Sequence, residues 1–240
     1  MRDQDLLQRK ARALFKYAEA HLRCDDKSLR RPFFIEISGT PSAGKTRSVF
    51  ELDKLLRHHD LRVLRLQEGT DELRHLPRTT PLFNIQVGIH ALHLLLETSV
   101  GHDFDVVIFE RGIFDAYCWM LYWLDKKQIT PEECKLVQSF LVSPLWSGKI
   151  DAAYFLVCDS EEAVRRKFRT ALSHKLGETT TLETHRNLVS QYRRAYAQLR
   201  GKHPQLVLMD TTRLDEKEMV KKIADHALSA LEKKIDEDSK

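Results

Sequence analysis

Five short apolar runs alternate with longer helical patterns, and this alternation restricts the fold more than any other feature of the chain. The runs are rich in Val, Ile, Leu and Phe and almost continuous in apolarity, which is typical of parallel strands covered on both faces. Their alternation with helices predicts an α/β domain in which a doubly wound, parallel five-stranded sheet with right-handed crossovers is flanked by helices. The apolar runs cover residues 33–38, 62–66, 105–110, 152–158 and 205–210.

The intervals between these runs carry apolar residues at helical spacing. Pro131 follows Thr130 at the start of a helical pattern over 131–142, which predicts a helix with threonine as its N-cap. The N-terminal segment has helical periodicity of its own. We therefore expect an N-terminal helical extension over residues 1–31 and one α/β domain over residues 32–240. Further helices are predicted at 45–59, 84–99, 114–127, 182–200 and 215–234.

One motif in this framework carries specific chemistry. The stretch GTPSAGKT directly follows the first apolar run and directly precedes a helical pattern. It matches the phosphate-loop pattern of Gly, any four residues, Gly, Lys and then Ser or Thr, whose glycines let consecutive main-chain N–H groups face an anion. The pattern assigns the Lys45 ammonium to the β- and γ-phosphates and the Thr46 hydroxyl to Mg²⁺. It predicts a P-loop NTPase that binds ATP and Mg²⁺ through Gly39, Thr40, Pro41, Ser42, Ala43, Gly44, Lys45, Thr46 and Arg47.

Charged residues follow two further strands, at the edge where sheets of this kind bind ligands. Glu110 and Arg111 end the third run, so we expect the carboxylate beside the magnesium ion and the guanidinium beside a phosphate or the attacking hydroxyl. Glu68 follows the second run and would take the proton of an acceptor hydroxyl. A structural Glu–Arg pair and a solvated turn glutamate are the alternative interpretations.

A basic helix follows the fourth run. Arg166 and Arg169 lie three residues apart on one face, which favours them as the cations of a helical lid at about 165–182 that closes over the triphosphate. Such a lid would exclude water and supply positive charge during phosphoryl transfer. Asp159 and Glu162 have the spacing of a capping box at the start of this helix. The alternative is a helix whose basic face is solvated.

These segments resemble the thymidylate kinase and deoxynucleoside kinase group of P-loop kinases over roughly residues 33–212. GTPSAGKT is similar to the phosphate loop of that group, QEGT to its Glu-Pro-Gly-Gly-Thr element, ERGIFDAYCW to its Asp-Arg-Tyr or Glu-Arg-Ser segment, and SEEAVRRKFR to the segment before its lid. The resemblance implies phosphoryl transfer from MgATP. It implies that Glu110 helps to organise Mg²⁺, that Arg111 holds the acceptor and that Glu68 orients or deprotonates it.

The chain departs from this group in two places. Gly112 stands where the group has Tyr or Ser, and the Pro-Gly-Gly turn after the second strand is broken. Thymidine-type specificity is therefore not predicted.

The second and third crossovers are expected to form the pocket for a small-molecule acceptor, with a nucleoside or nucleotide as the leading class. Aromatic rings would stack a base, amides would read its edge and arginines would bind an acceptor phosphate. Aromatic residues at helical spacing are also typical of a hydrophobic core, and arginines of a solvated surface. The expected acceptor residues are Arg74, Arg78, Phe83, Asn84, Gln86, Phe114 and Asp115.

Composition narrows the expected partners and location. The net charge of +4 is too small to indicate a nucleic-acid partner. No apolar run approaches the roughly 20 residues that a membrane helix needs, and the charged N-terminal segment does not resemble a secretory signal, so we expect a cytoplasmic location. The cysteines form no Cys-x-x-Cys pair, which argues against a zinc site or redox motif. Dimers are usual in the resembled group, which makes a homodimer one expected assembly.

Other functions remain open at this point. A P-loop kinase could act on a sugar, a vitamin-like nucleoside, an antibiotic or a nucleic-acid end, and the motif also occurs in ATPases and switch proteins. A switch GTPase would carry Asn-Lys-x-Asp after a strand, which this chain lacks. An AAA-type ATPase would carry Asp-Glu where the third strand here ends in Glu-Arg.

Overall fold

A computed structural model of the chain describes residues 2–22, 31–66, 73, 77–101, 103–170 and 181–238, with the side chains at 2–5, 169–170 and 234–238 outside that description. The strands form one parallel sheet in the order β2-β3-β1-β4-β5. They are β1 (Phe33–Gly39), β2 (Val63–Leu66), β3 (Val106–Glu110), β4 (Ala152–Val157) and β5 (Leu206–Asp210). Each predicted strand is confirmed, with ends within one residue of those expected.

Helices connect the strands. Those in the described part of the chain are α1 (Arg2–Tyr17), which continues in a π-helical turn (Ala18–Leu22), α2 (Lys45–His58), α3 (Pro81–Thr98), α4 (Ile113–Asp125), α5 (Pro131–Leu141), α6 (Pro144–Ser147), α7 (Ser160–Thr170), α8 (Leu182–Leu199) and α9 (Glu216–Asp238). Thr130 caps α5 as predicted, because its hydroxyl accepts from the Glu133 N–H while the Glu133 carboxylate accepts from the Thr130 N–H.

The sheet separates two hydrophobic layers. One layer joins the sheet to α1, α2 and α9, and the other joins it to α3, α4, α5 and α8. Side chains alternate between the two faces along a strand. In β1, Phe33, Ile35 and Ile37 therefore pack in the first layer while Phe34 packs in the second. Glu36 shares the face of Phe34 and reaches the start of α4.

The N-terminal helix belongs to the first of these layers. Ala11, Leu14 and Ala18 are buried with the apolar face of α9, and the Lys10 ammonium donates to the Asp225 carboxylate at 2.6 Å. The helical pattern of the N-terminal segment therefore gives a helix that packs in the same hydrophobic core as the sheet. The boundary expected at residue 31 does not lie between two separate cores.

Two further expectations concern membrane-spanning helices and the state of the cysteines. Within the described ranges, no helix combines the length and apolarity needed to cross a bilayer. Cys118, Cys134 and Cys158 are buried free thiols.

Candidate functional site

The loop over residues 39–46 joins β1 to α2 through backbone conformations that require glycine. Gly39 has φ +144°, and a Cβ there would lie 2.0 Å from the Leu156 carbonyl oxygen. Gly44 has φ +97°, and a Cβ there would lie 2.5 Å from the Met219 sulfur. Because such φ values and contacts exclude other side chains, both motif glycines are needed for the shape of the loop.

Side chains from distant segments bind the carbonyl groups of this loop. The fully buried Thr211 hydroxyl donates to the Ala43 carbonyl at 3.1 Å. His185 Nε2 lies 3.0 Å from the Pro41 carbonyl, which can only accept, so this nitrogen carries the proton. Burial lowers the pKa of His185, which favours this neutral tautomer near pH 7.

The start of α2 follows this loop and brings donors next to it. The first N–H groups of α2 have no acceptor within the helix, and the helix N-terminus carries partial positive charge. Lys45, 7% exposed, lies in the first turn and donates to the Thr40 carbonyl at 2.9 Å. A ring of N–H groups beside an ammonium is suited to binding phosphate oxygens.

A hydroxyl and a carboxylate meet next to these donors. The Thr46 hydroxyl donates to the Glu110 carboxylate, which joins the start of α2 to the end of β3. Mg²⁺ prefers hard oxygen ligands and usually takes only one or two from protein, with phosphate and water completing its shell. This pair fits such a site. Among the described residues, this site included, no group of three or more His, Cys, Asp or Glu residues could hold a metal ion.

Arg111 lies beside Glu110 in an unusual backbone conformation. Its φ of +62° is in the left-handed region, which is uncommon outside glycine and costs on the order of 1–3 kcal/mol. Its N–H donates to the Ile37 carbonyl at 3.1 Å, and its Nη1 lies 3.0 Å from Asp115 Oδ2. The backbone and an ion pair thus hold this guanidinium at the carboxyl end of the sheet.

The Asp115 carboxylate is itself held by two further donors. The Tyr192 hydroxyl donates to Oδ1, and Trp119 Nε1 donates to Oδ2 at 3.1 Å. Asp115 is 2% exposed and Tyr192 1%, so the cluster is closed to solvent. A buried charge is stable only when paired and hydrogen-bonded, so Arg111 and these donors are mutually dependent.

A second buried carboxylate lies below the start of α4. Glu36, 1% exposed, accepts from the Ser38 hydroxyl at 2.6 Å and from the Asp115 N–H at 3.0 Å. Burial raises the pKa of Glu36 to about 7, although the hydrogen bond from Ser38 lowers it. A Cβ at Gly112 would lie 2.4 Å from Glu36 Oε2. The glycine that departs from the kinase group is therefore the residue that leaves room for this carboxylate.

Lys45, Thr46, Glu110 and Arg111 line one cleft of about 770 Å³ at the carboxyl ends of the strands. One wall is the 39–46 loop with Glu110 and Arg111, and the facing wall is the segment 212–216, which follows β5. The volume is in the range of small-molecule sites.

Comparison with protein-family models and with characterised proteins gives no match for this chain. The chemistry of the cleft is therefore inferred from its residues.

Arg166, predicted as a lid cation, lines the cleft, and its guanidinium binds main-chain oxygens. Its Nη2 donates to the Thr211 carbonyl at 2.7 Å and contacts those of Thr212 and Leu214 at 3.3 Å, while its Nε donates to Glu162. Arg166 thus joins α7 to the wall after β5. The side chain of Arg169 and residues 171–180, most of the predicted lid, lie outside the described residues.

The predicted capping box before α7 forms only in part. The Asp159 carboxylate accepts from the Glu161 N–H at 2.9 Å, but the Asp159 N–H donates to the Thr212 hydroxyl. Glu162 instead binds Arg165 and Arg166, and the hydrogen bond from Arg165 lowers the pKa of Glu162.

Arg47 was predicted to bind the nucleotide and lies at the cleft. Its guanidinium forms ion pairs with Glu51, at 2.8 Å, and with Glu216.

The predicted acceptor residues separate into core and surface. Phe114 is 0% exposed and packs against His203, so it belongs to the core rather than to a pocket wall. Asn84 is buried, and its side-chain oxygen accepts from Trp123 Nε1 at 2.8 Å. This hydrogen bond joins α3 to α4 within the core. Asp115 is buried, and its carboxylate binds Arg111, Trp119 and Tyr192.

Two of the remaining members lie at the surface. Gln86 and Arg78 are exposed, and the Arg78 guanidinium lies 5.8 Å from the centre of the buried Phe83 ring. Glu68 and Arg74 lie outside the described residues.

Three buried polar residues at the site were not anticipated. The sequence could have indicated Glu36, because it is the one charged residue inside the apolar run FFIEIS. His185 and Tyr192 are seven residues apart and therefore share a face of α8, among apolar positions. Polar residues at core positions of a predicted element indicate such networks.

Proposed function

We propose that this protein is an ATP-dependent phosphotransferase that moves the γ-phosphoryl group of MgATP to a small-molecule acceptor, with a nucleoside or nucleotide as the leading class. The proposal rests mainly on one observation. Lys45, the Thr46–Glu110 pair and Arg111 line the same cleft, at the carboxyl ends of the adjacent strands β1 and β3. Phosphoryl transfer needs this combination of hydrogen-bond donors that bind phosphate, ligands for a metal ion, and a cation that stabilises the transferred group.

In this proposal the 39–46 loop is a phosphate-binding loop. Its N–H groups and Lys45 bind the β- and γ-phosphates, while Thr46 and Glu110 hold the magnesium ion. The ion would supply charge neutralisation between the phosphate groups. The wall at 212–216 receives the nucleoside part of ATP, and Arg166 fixes this wall by binding its carbonyl groups.

Arg111 stabilises the charge of the phosphoryl group during transfer. The acceptor oxygen forms a bond to the γ-phosphorus as the bond to the bridging oxygen breaks, and ADP leaves with the electron pair. The acceptor proton passes to a base, for which Glu68 remains the prediction. Asp115 acts as a positioning residue, because its carboxylate fixes the guanidinium through Nη1.

The direct test is transfer of label from γ-labelled ATP to a panel of nucleosides, nucleotides, sugars and nucleic-acid ends. We expect a labelled small molecule whose formation requires Mg²⁺. Label found only in inorganic phosphate would indicate an ATPase, and label retained in ATP would contradict the proposal.

Lys45→Ala gives the matched control for this test. Removing a preorganised cation from the transferring phosphate lowers turnover by about 10²–10³-fold. Lys54→Ala changes an exposed lysine on the same helix, and its turnover should equal that of the unchanged protein. Equal activity of the two variants would show that the 39–46 loop does not perform the transfer.

A further inference from the structure

The helix α3 is apolar on both its inner and its outer side. Its 18 residues include no lysine or arginine, and Glu97 is its one acidic residue. The inner side packs in the second hydrophobic layer through Ala91, Leu92 and Leu95. A helix that is apolar all round is usually buried on all sides. The outer side of α3 is nevertheless exposed, so the helix has the composition of a buried element and only half of the burial.

Six exposed positions form a stripe along this outer side. Their spacing alternates between four and three residues, which keeps them on one face and is the spacing at which paired helices meet. Four of the six side chains are apolar. The members of this outer stripe are Leu82, Gln86, Ile89, His93, Leu96 and Val100, the last of which lies two residues beyond the end of α3.

The helices packed beside α3 add to its apolar surface. Both α5 and α6 contact α3, and they expose Leu136, Phe140 and Leu145. Seven of the ten exposed large apolar side chains in the described chain therefore lie on α3, directly after it or on these two neighbours. Apolar exposure concentrated in this way marks a protein–protein contact.

The outer stripe is complementary to itself when two copies pair antiparallel. About a twofold axis near position 91, Leu82 of one copy meets Val100 of the other, and Ile89 meets His93. A contact of this kind uses the same patch on both subunits, so one stripe is sufficient for both. The polar positions at Gln86 and His93 would fix the register, as single polar residues do in paired helices.

The charges at the two ends favour the antiparallel direction. Arg78 is exposed just before α3, whereas Glu97 and Asp103 are exposed at its other end. Antiparallel pairing brings Arg78 of each copy towards the acidic end of the other and opposes the two helix dipoles. Parallel pairing would place like charges together.

We propose that the outer stripe is the interface of a homodimer, in which the α3 helices of two copies pack antiparallel about a twofold axis near position 91. The partner at this surface is therefore a second copy of the chain. The proposal does not depend on phosphotransferase activity, because no residue of the outer stripe lines the cleft.

Sedimentation equilibrium of the full chain at micromolar concentration tests the assembly. We expect a dimer whose dissociation constant rises at least about 100-fold in Ile89→Asp, because each dimer would then bury two unpaired carboxylates. Leu182→Asp is the matched control, since Leu182 of α8 is 42% exposed and Ile89 is 43% exposed. A monomeric unchanged protein, or equal dissociation constants in the two variants, would overturn the proposal.

Crosslinking at the ends of the stripe tests the pairing without a change at its centre. Leu82→Cys and Val100→Cys are each combined with Cys24→Ser, because Cys118, Cys134 and Cys158 are buried. A short bismaleimide should crosslink a mixture of the two chains but neither chain alone, since equal positions of the two copies lie about 27 Å apart along antiparallel helices. Crosslinking of the Leu82→Cys chain with itself would show a different pairing, and a mixture that does not crosslink would show that α3 is not the interface. Either result would overturn the proposal.

Discussion

The two halves of the cleft are held in different ways. The 39–46 loop is fixed through its main-chain carbonyls, and the side chains of Thr46 and of the adjacent Arg47 line the cleft. Arg111 is fixed through a buried network of side chains, in which Tyr192 and Asp115 are 77 positions apart in the chain. The loop side should therefore tolerate side-chain changes with little loss of stability. On the Arg111 side, changes should affect folding and turnover together.

Of the substitutions that test this comparison, Asp115→Asn should have the largest effect on both stability and turnover. Breaking a buried, hydrogen-bonded ion pair leaves an uncompensated charge and costs about 3–5 kcal/mol of unfolding free energy. Turnover should also fall about 10²-fold, because a misplaced Arg111 no longer meets the phosphoryl group. Urea unfolding and the transfer assay measure the two effects.

Asp125→Asn is the matched control on the same helix. Asp125 is exposed and pairs with Arg194 at the surface, and it also accepts from the Gln191 side chain, a hydrogen bond that the asparagine oxygen can keep. Loss of an exposed pair should cost less than about 1 kcal/mol. If Asp115→Asn behaved like this control in both assays, the buried network would not position Arg111.

Glu36 should make the Arg111 side pH-sensitive. Its folded pKa of about 7 lies above the ordinary 4.5, so the folded state binds more protons than the unfolded chain in this interval. The contribution of Glu36 to the unfolding free energy is then complete below about pH 4.5 and is lost as pH rises through 7. The total change is on the order of 3 kcal/mol, at 1.36 kcal/mol for each pKa unit.

Glu36→Gln isolates this contribution. The difference in unfolding free energy between the unchanged protein and the variant should fall from pH 5 to about pH 7 and level off above that. A difference that rises or stays constant would mean that Glu36 is already ionised in the folded protein at pH 5.

Sequence reasoning succeeded where the determinants are local. The strands, the cap at Thr130 and the glycine positions at 39 and 44 each follow from residues within one short segment. Hydrophobic runs and backbone conformations act over a few residues, so a linear pattern carries them.

Contacts between distant segments cannot be seen in a linear pattern. Asp115 was assigned to the acceptor pocket because it follows β3, and its partner Tyr192 comes from α8. Arg166 has the residue type and location of a lid cation, yet carbonyl groups after β5 take its donors. The sequence shows that Gly112 departs from the residue found in the resembled kinase group. The reason for a glycine there becomes clear only from the position of the Glu36 carboxylate beside it.

Gly112→Ala tests that reason. The new methyl group would meet Glu36 Oε2 at 2.4 Å, and overpacking of this kind costs typically 1–3 kcal/mol. Gly201→Ala is the control, because nothing lies within 4 Å of a Cβ there. In a double-mutant cycle, Glu36→Ala should reduce the cost of Gly112→Ala, since the carboxylate is gone. An unchanged cost would place the clash elsewhere.

Arg166→Lys should have the smallest effect of these variants. It tests the half of the cleft that contains the 39–46 loop. Lysine cannot reproduce the forked contacts with the carbonyls of Thr211, Thr212 and Leu214, so the wall at 212–216 loosens. The KM for ATP should rise about tenfold, equivalent to about 1.4 kcal/mol, with kcat and unfolding free energy nearly unchanged. Arg186→Lys, at an exposed arginine of α8 outside the cleft lining, should change neither constant. A lid cation acting on the transferred phosphate would give the opposite result, a lower kcat at constant KM, and would return Arg166 to that role.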